Sequence, residues 1–129
     1  MAKVLGIGGL FFKAKDPKAL LGWYRDVLGI ELTPWGGVKF VPQELAAQPG
    51  AATVFAAFAE SSDYFAPSEK AFMVNFAVDD LDGILARCRE HAVAVLKQTD
   101  DPFGRFAHIL DPEGNKIELW QPLPRPPAA

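Results

Sequence analysis

Glu118 and His108 are the residues whose types and spacing point to chemistry in this chain. Glu118 lies in Lys116-Ile-Glu-Leu-Trp-Gln121, an alternating strand pattern where propensity alone would not place a carboxylate. Asp111-Pro-Glu-Gly-Asn115 just before it reads as a turn joining this run to the apolar run Phe106–Leu110, a hairpin signal. If Leu110 pairs with Lys116 across that turn, His108 opposes Glu118 and Phe106 opposes Trp120. Directly opposed residues project to the same face. A His–Glu pair in an apolar cavity can hold the protons for acid/base chemistry, because burial and pairing shift both groups. It can equally supply two ligands to a metal site completed by substrate. The same pairing is also an ordinary way to satisfy a half-buried carboxylate, and a one-residue slip would send His108 to the other face.

The elements that must position this pair form a repeat. Gly9-Leu-Phe-Phe-Lys-Ala-Lys-Asp16 and Met73-Val-Asn-Phe-Ala-Val-Asp-Asp80 match at a fixed offset, both strand-like and both ending on an Asp suited to cap a helix. Pro17 suits the first helical position. The first helix carries Leu20, Tyr24, Val27 and Leu28 on one face and stops at Gly29, and the second carries Leu81, Ile84, Leu85, Cys88 and Ala92. Strands follow at about 30–33, 38–41 and 53–59 in the first half, and at about 93–97, 105–110 and 116–121 in the second. The fold class is therefore α+β, two tandem βαβββ modules forming a curled mixed sheet around a groove. The modules span about 4–60 and 71–122, with a polar linker at 61–70 and a Pro-rich tail at 123–129. One helix per four strands covers one face of each sheet, and the uncovered faces curl into a shared groove.

Composition narrows the classes. A chain of 129 residues suits one domain, and a net charge of -3 without a basic block argues against nucleic acid. No apolar run approaches the roughly 18–20 residues of a membrane span. The N-terminus lacks the apolar core of a signal peptide, and Cys88 is the single cysteine, which excludes an internal disulfide and a cysteine-based zinc cluster. A cytoplasmic protein is expected.

The paired modules, closed by Asp111-Pro-Glu-Gly-Asn-Lys-Ile-Glu-Leu119, resemble the vicinal oxygen chelate superfamily of glyoxalases, bleomycin-resistance proteins and extradiol dioxygenases. Trp23-Tyr-Arg-Asp-Val-Leu-Gly29 and Val78-Asp-Asp-Leu-Asp82 match too, and the resemblance runs from about residue 4 to 122. It implies a homodimer and, in metal-using relatives, a divalent ion on side chains from the first and last strand of each module. Carried over, those positions fall on Gly9, Met73, the stretch 54–57 and Glu118. Only Glu118 can ligate such an ion normally, so no cofactor is expected, with a divalent metal as the remaining option.

By alternation, Phe11 and Lys13 share the groove face with Met73, Asn75, Phe106 and Trp120. Lys13 is either a rim contact for an anion or a solvated lysine, and Asn75 either orients a ligand or satisfies backbone. Cys88 reads as a core thiol and His91 as a helix-end residue. Tyr24 and Arg25 read as helix packing and surface pairing. Tyr64 and Phe65 in the linker are left open between a lid and a dimer contact. The expected function is binding of a small apolar or aromatic molecule in the groove. The alternative is a glyoxalase-like lyase, isomerase or dioxygenase using Glu118 with His108.

Overall fold

The structure, a computed structural model, describes residues 2–124. The end of the Pro-rich tail, residues 125–129, lies outside the described residues. Helix α1 spans Pro17–Leu28 and starts where expected, because the Asp16 carboxylate accepts the Ala19 N–H at 3.1 Å and Pro17 takes the first turn. Gly29 ends it in the left-handed region, φ 73°, its N–H donating back to the Arg25 carbonyl. A short helix α2, Pro42–Ala46, follows. Strand β1 (Val74–Ala77) then leads to helix α3 (Leu81–Glu90), which Asp80 caps through the Gly83 N–H at 3.1 Å.

Strands β2 (Lys97–Asp101), β3 (Gly104–Leu110) and β4 (Lys116–Pro122) complete a four-stranded sheet ordered β1-β4-β3-β2. The β1–β4 pair is parallel and the other two are antiparallel. Odd-numbered positions of β3 and β4 face the helices: Ala107, Ile109, Ile117 and Leu119 are fully buried with Val27, Leu81 and Cys88. Arg87 of α3 ties the helices together, its Nε donating to the Val27 carbonyl at 3.1 Å.

The turn between β3 and β4 also anchors α1. Asp111 accepts the backbone N–H groups of Glu113 and Asn115, the Asn115 amide at 2.7 Å and the Tyr24 hydroxyl at 2.7 Å. Glu113 in turn accepts the N–H groups of Lys15 and Asp16. Tyr24 thus belongs to packing, as its place on the apolar stripe predicts.

The second half builds the expected βαβββ unit, with two corrections. The strand expected at 93–97 lies at 97–101: Val93 and Val95 pack against the core, and the ladder starts only where Lys97 meets His108. Ala92 is not helical; it follows the His91 cap with φ 57°. In the first half, none of the expected strands pairs in a ladder among the described residues, and the 38–41 segment runs straight into α2. Their apolar side chains lack a partner surface: Val4, Leu5, Phe11 and Phe55 are each about 90 % exposed or more.

Candidate functional site

Even-numbered positions of β3 and β4 face away from the helices. The register is the one the turn demands, with Leu110 opposite Lys116, His108 opposite Glu118 and Phe106 opposite Trp120. Phe106 and Trp120 stack at 6.2 Å with planes 5° apart, and Trp120 Nε1 donates to the Phe103 carbonyl at 3.1 Å. In the parallel pair, Asn75 lies beside Glu118.

Glu118 is the centre of the cluster. Its Oε2 accepts the Tyr64 hydroxyl at 2.5 Å and lies 2.7 Å from His108 Nε2, and its Oε1 accepts the Asn75 amide at 2.8 Å. Glu118 is 9 % exposed and His108 3 %. Burial pushes the Glu118 carboxyl up, but the bonds from Tyr64, His108 and Asn75 outweigh it and hold it below its ordinary 4.5. An ionised carboxylate only accepts, so His108 Nε2 carries the hydrogen that faces it. His108 Nδ1 is buried with no partner among the described residues. Burial, then the bond to Glu118, push the Tyr64 phenol far above its ordinary range, which keeps it a donor at neutral pH.

The linker supplies the cover. Tyr64 stacks on Phe58 at 5.4 Å, meets the His108 ring edge-on at 5.3 Å, and Phe65 leans on Phe58. Lys116 Nζ, on the same strand face, donates to the Tyr64 carbonyl at 2.6 Å and the Ala66 carbonyl at 2.9 Å. Burial and then the neighbouring Lys97 lower its pKa, partly opposed by Glu118 and Asp63.

Of the expected groove residues, the structure brings together His108, Glu118 and Asn75, with Phe106 and Trp120 stacked on the same sheet face. Met73, half-buried, precedes β1 in the chain. Phe11, 95 % exposed, and Lys13, also exposed, stand in the unpaired first segment and outside the cluster. Cys88 is buried in the core, and His91 caps α3 at the surface. Arg25 pairs with Asp26 on the surface. Lys116 and Phe58 were not singled out from the sequence. Alternation puts Lys116 on the face of Glu118, which is the signal that finds it; nothing local marks Phe58.

A divalent ion of the kind the resemblance implies needs several unspent lone pairs. Glu118 Oε2 already serves two donors and Oε1 a third, and His108 Nε2 is turned to the carboxylate. Among the described residues no group of three or more His, Cys, Asp or Glu side chains is disposed to hold an ion. The donor set present does not fit such a metal.

Comparison with known proteins gives a consistent fold. The glyoxalase-like domain family matches residues 9–120. No curated protein matches the chain. Among solved structures, a glyoxalase/bleomycin-resistance/dioxygenase domain from Frankia sp. EAN1pec is similar at TM-score 0.57 and 14 % identity, covering 94 % of this chain and 100 % of that one. TnmS3, an antibiotic-binding protein from Streptomyces sp. CB03234, is similar at TM-score 0.51 and 22 % identity, covering 84 % and 88 %. A glyoxalase/bleomycin-resistance protein from the same Streptomyces is 39 % identical, but over 38 % of this chain and 45 % of that one, at TM-score 0.35. The chain therefore spans under half of that relative. No helix of the described residues is long and apolar enough to cross a membrane.

Proposed function

The chain belongs to the glyoxalase-like domain family of the vicinal oxygen chelate superfamily, and on that premise we propose that it binds a small, largely aromatic molecule on the sheet face that carries Glu118, without a resident metal. The observation that carries this reading is a buried carboxylate in aromatic surroundings: Glu118, held by His108 and Asn75, meets the Tyr64 hydroxyl beside Phe58 and shares its sheet face with Phe106 and Trp120. A few polar points in an aromatic wall are what small-molecule sites use to orient a ligand. The similarity to TnmS3, itself antibiotic-binding, supports the same class.

The rival reading is a lyase, isomerase or dioxygenase with Glu118 and His108 as its acid/base pair. Their 2.7 Å contact favours it. Against it stands His108 Nδ1, buried and without a partner among the described residues, where a catalytic imidazole is usually oriented by a third group. Cytoplasmic location and homodimerisation belong to the same proposal. The single buried cysteine supports the first, and the exposed apolar segments of the first half support the second.

The test is a thermal-shift screen of planar aromatic compounds, cationic and hydroxylated, against the wild type and Glu118→Ala, with each ligand recovered and weighed by mass spectrometry. A hit at a hundred times its Kd stabilises the fold by about 2.7 kcal/mol. The expectation is at least one such hit, weakened at least tenfold by Glu118→Ala and returned unchanged. Chemical conversion of the ligand would establish the enzymatic reading instead, and a panel without any hit would sink both the ligand class and the binding role.

A further inference from the structure

The linker does more than cover the site: it puts a phenol into it. Every part of the Tyr64 side chain meets a matched group. The hydroxyl donates to Glu118 Oε2 at 2.5 Å and lies 3.4 Å from His108 Nε2. One ring face stacks on Phe58 with planes 17° apart, and the His108 ring stands at 85° to it. Lys116 Nζ lies 5.4 Å from the ring centroid. A carboxylate–imidazole pair reading a hydroxyl, together with ring contacts, is a complete recognition set for an aromatic alcohol.

The attachment of this phenol is conditional. The backbone hydrogen bonds of the linker are local: Ser62 to Ala59, Ala66 to Asp63 and Ser68 to Phe65. It is held to the sheet through the Tyr64 hydroxyl and through Lys116, which grips the carbonyls of residues 64 and 66. Beyond them, Pro67–Lys70 stand over an open cleft of about 310 Å³ against Leu110, Glu113 and Gly114. On that side the linker is not packed shut.

From this geometry we infer that the ligand of the Glu118–His108 site carries a phenolic hydroxyl and takes the place of Tyr64, which acts as an internal occupant. The inference rests on the binding role proposed above and narrows it to aromatic alcohols. A tethered occupant competes at a high effective concentration, so the wild type binds a free phenol more weakly than a chain without the tyrosine ring.

The test uses p-cresol, the tyrosine side chain as a free molecule, with toluene as its counterpart lacking the hydroxyl. Binding is measured calorimetrically to the wild type, Tyr64→Ala, Tyr64→Phe and Lys116→Met, each checked for folding by circular dichroism. Tyr64→Ala should bind p-cresol at least tenfold more tightly than the wild type does, and at least tenfold more tightly than it binds toluene. Lys116→Met, which frees the linker, should fall between the wild type and Tyr64→Ala. If Tyr64→Ala does not fold, Tyr64→Phe carries the test: it keeps the ring, loses the hydroxyl, and should admit p-cresol more tightly than the wild type. Equal binding of toluene and p-cresol would overturn the phenol inference and leave the aromatic groove standing. No p-cresol binding by folded variants, while the wild type still binds a compound of the aromatic panel, would overturn the inference alone. Failure of both screens would remove both.

Discussion

Glu118 is ionised in a place where burial argues against ionisation, and three hydrogen bonds decide the contest. The consequence for stability has a definite sign. The folded pKa lies below the ordinary 4.5, so below that value the unfolded chain binds more protons. The contribution of the carboxylate is therefore full above about pH 4.5 and is lost as pH falls through the lower folded value. Replacing Glu118 by Gln should cost about 1–3 kcal/mol at pH 7, from weakened charge-assisted bonds. Urea midpoints of the two proteins should converge below pH 4.5; a gap that stays constant from pH 7 to 3 would mean that the carboxylate charge is not what holds the cluster. Asp26 and Asp82 are also held low by Arg25 and Arg105, but both pairs are largely exposed and common to the two proteins, so they cancel. At this scale the sequence yielded His108, Glu118 and Asn75, because strand parity and a turn of fixed length place side chains. Tyr64 is legible only as a lid or a dimer contact, since a linker residue 54 positions from Glu118 has no periodicity to project it onto that partner.

Among the elements, the register of the β3–β4 hairpin was legible to the residue and the strand before it was not. Lys97-Gln-Thr-Asp-Asp101 carries no apolar alternation and is exposed throughout, so its strand form comes from pairing with β3 at the sheet edge. Such polar edges also discourage pairing with other chains. The return from β2 to β3 depends on Gly104, φ 154°, where an added Cβ would lie 2.5 Å from Trp120 Nε1 and 2.5 Å from the Gln121 carbonyl. Gly104→Ala should therefore lower stability by about 1–3 kcal/mol, through strain and overpacking against Trp120. A chemical denaturation midpoint indistinguishable from wild type would show that the edge hairpin yields freely. The helices were read correctly at their starts, because Asp16 and Asp80 are local caps, and less well at the end of α3, where Ala92 leaves the helix after His91.

Over the whole molecule the two halves differ sharply. The second has a closed core, whereas the first contributes α1 and α2 and leaves a run of exposed apolar side chains, among them Val4, Leu5, Phe11, Val54 and Phe55. Strand β1 is the outer strand on the side opposite β2 and has no strand partner there among the described residues. We propose that a second copy of the chain covers this surface. Light scattering behind gel filtration should give twice the chain mass at micromolar concentration, and Phe11→Asp with Phe55→Asp should return the monomer. A wild-type monomer at tens of micromolar would rule out the dimer.

What is local or periodic could be read along the chain: helix starts from capping aspartates, the faces of β3 and β4 from alternation, and the His108–Glu118 register from the length of one turn. The sequence also carried the family, through the repeat and the motif that closes it. What lies across from the Glu118 face came from the folded chain alone. The seating of Tyr64 on Glu118 and the grip of Lys116 on the linker carbonyls depend on contacts between segments tens of residues apart. Their free energy comes from burial and hydrogen bonds made at a distance along the chain, and no residue pattern within one segment encodes them.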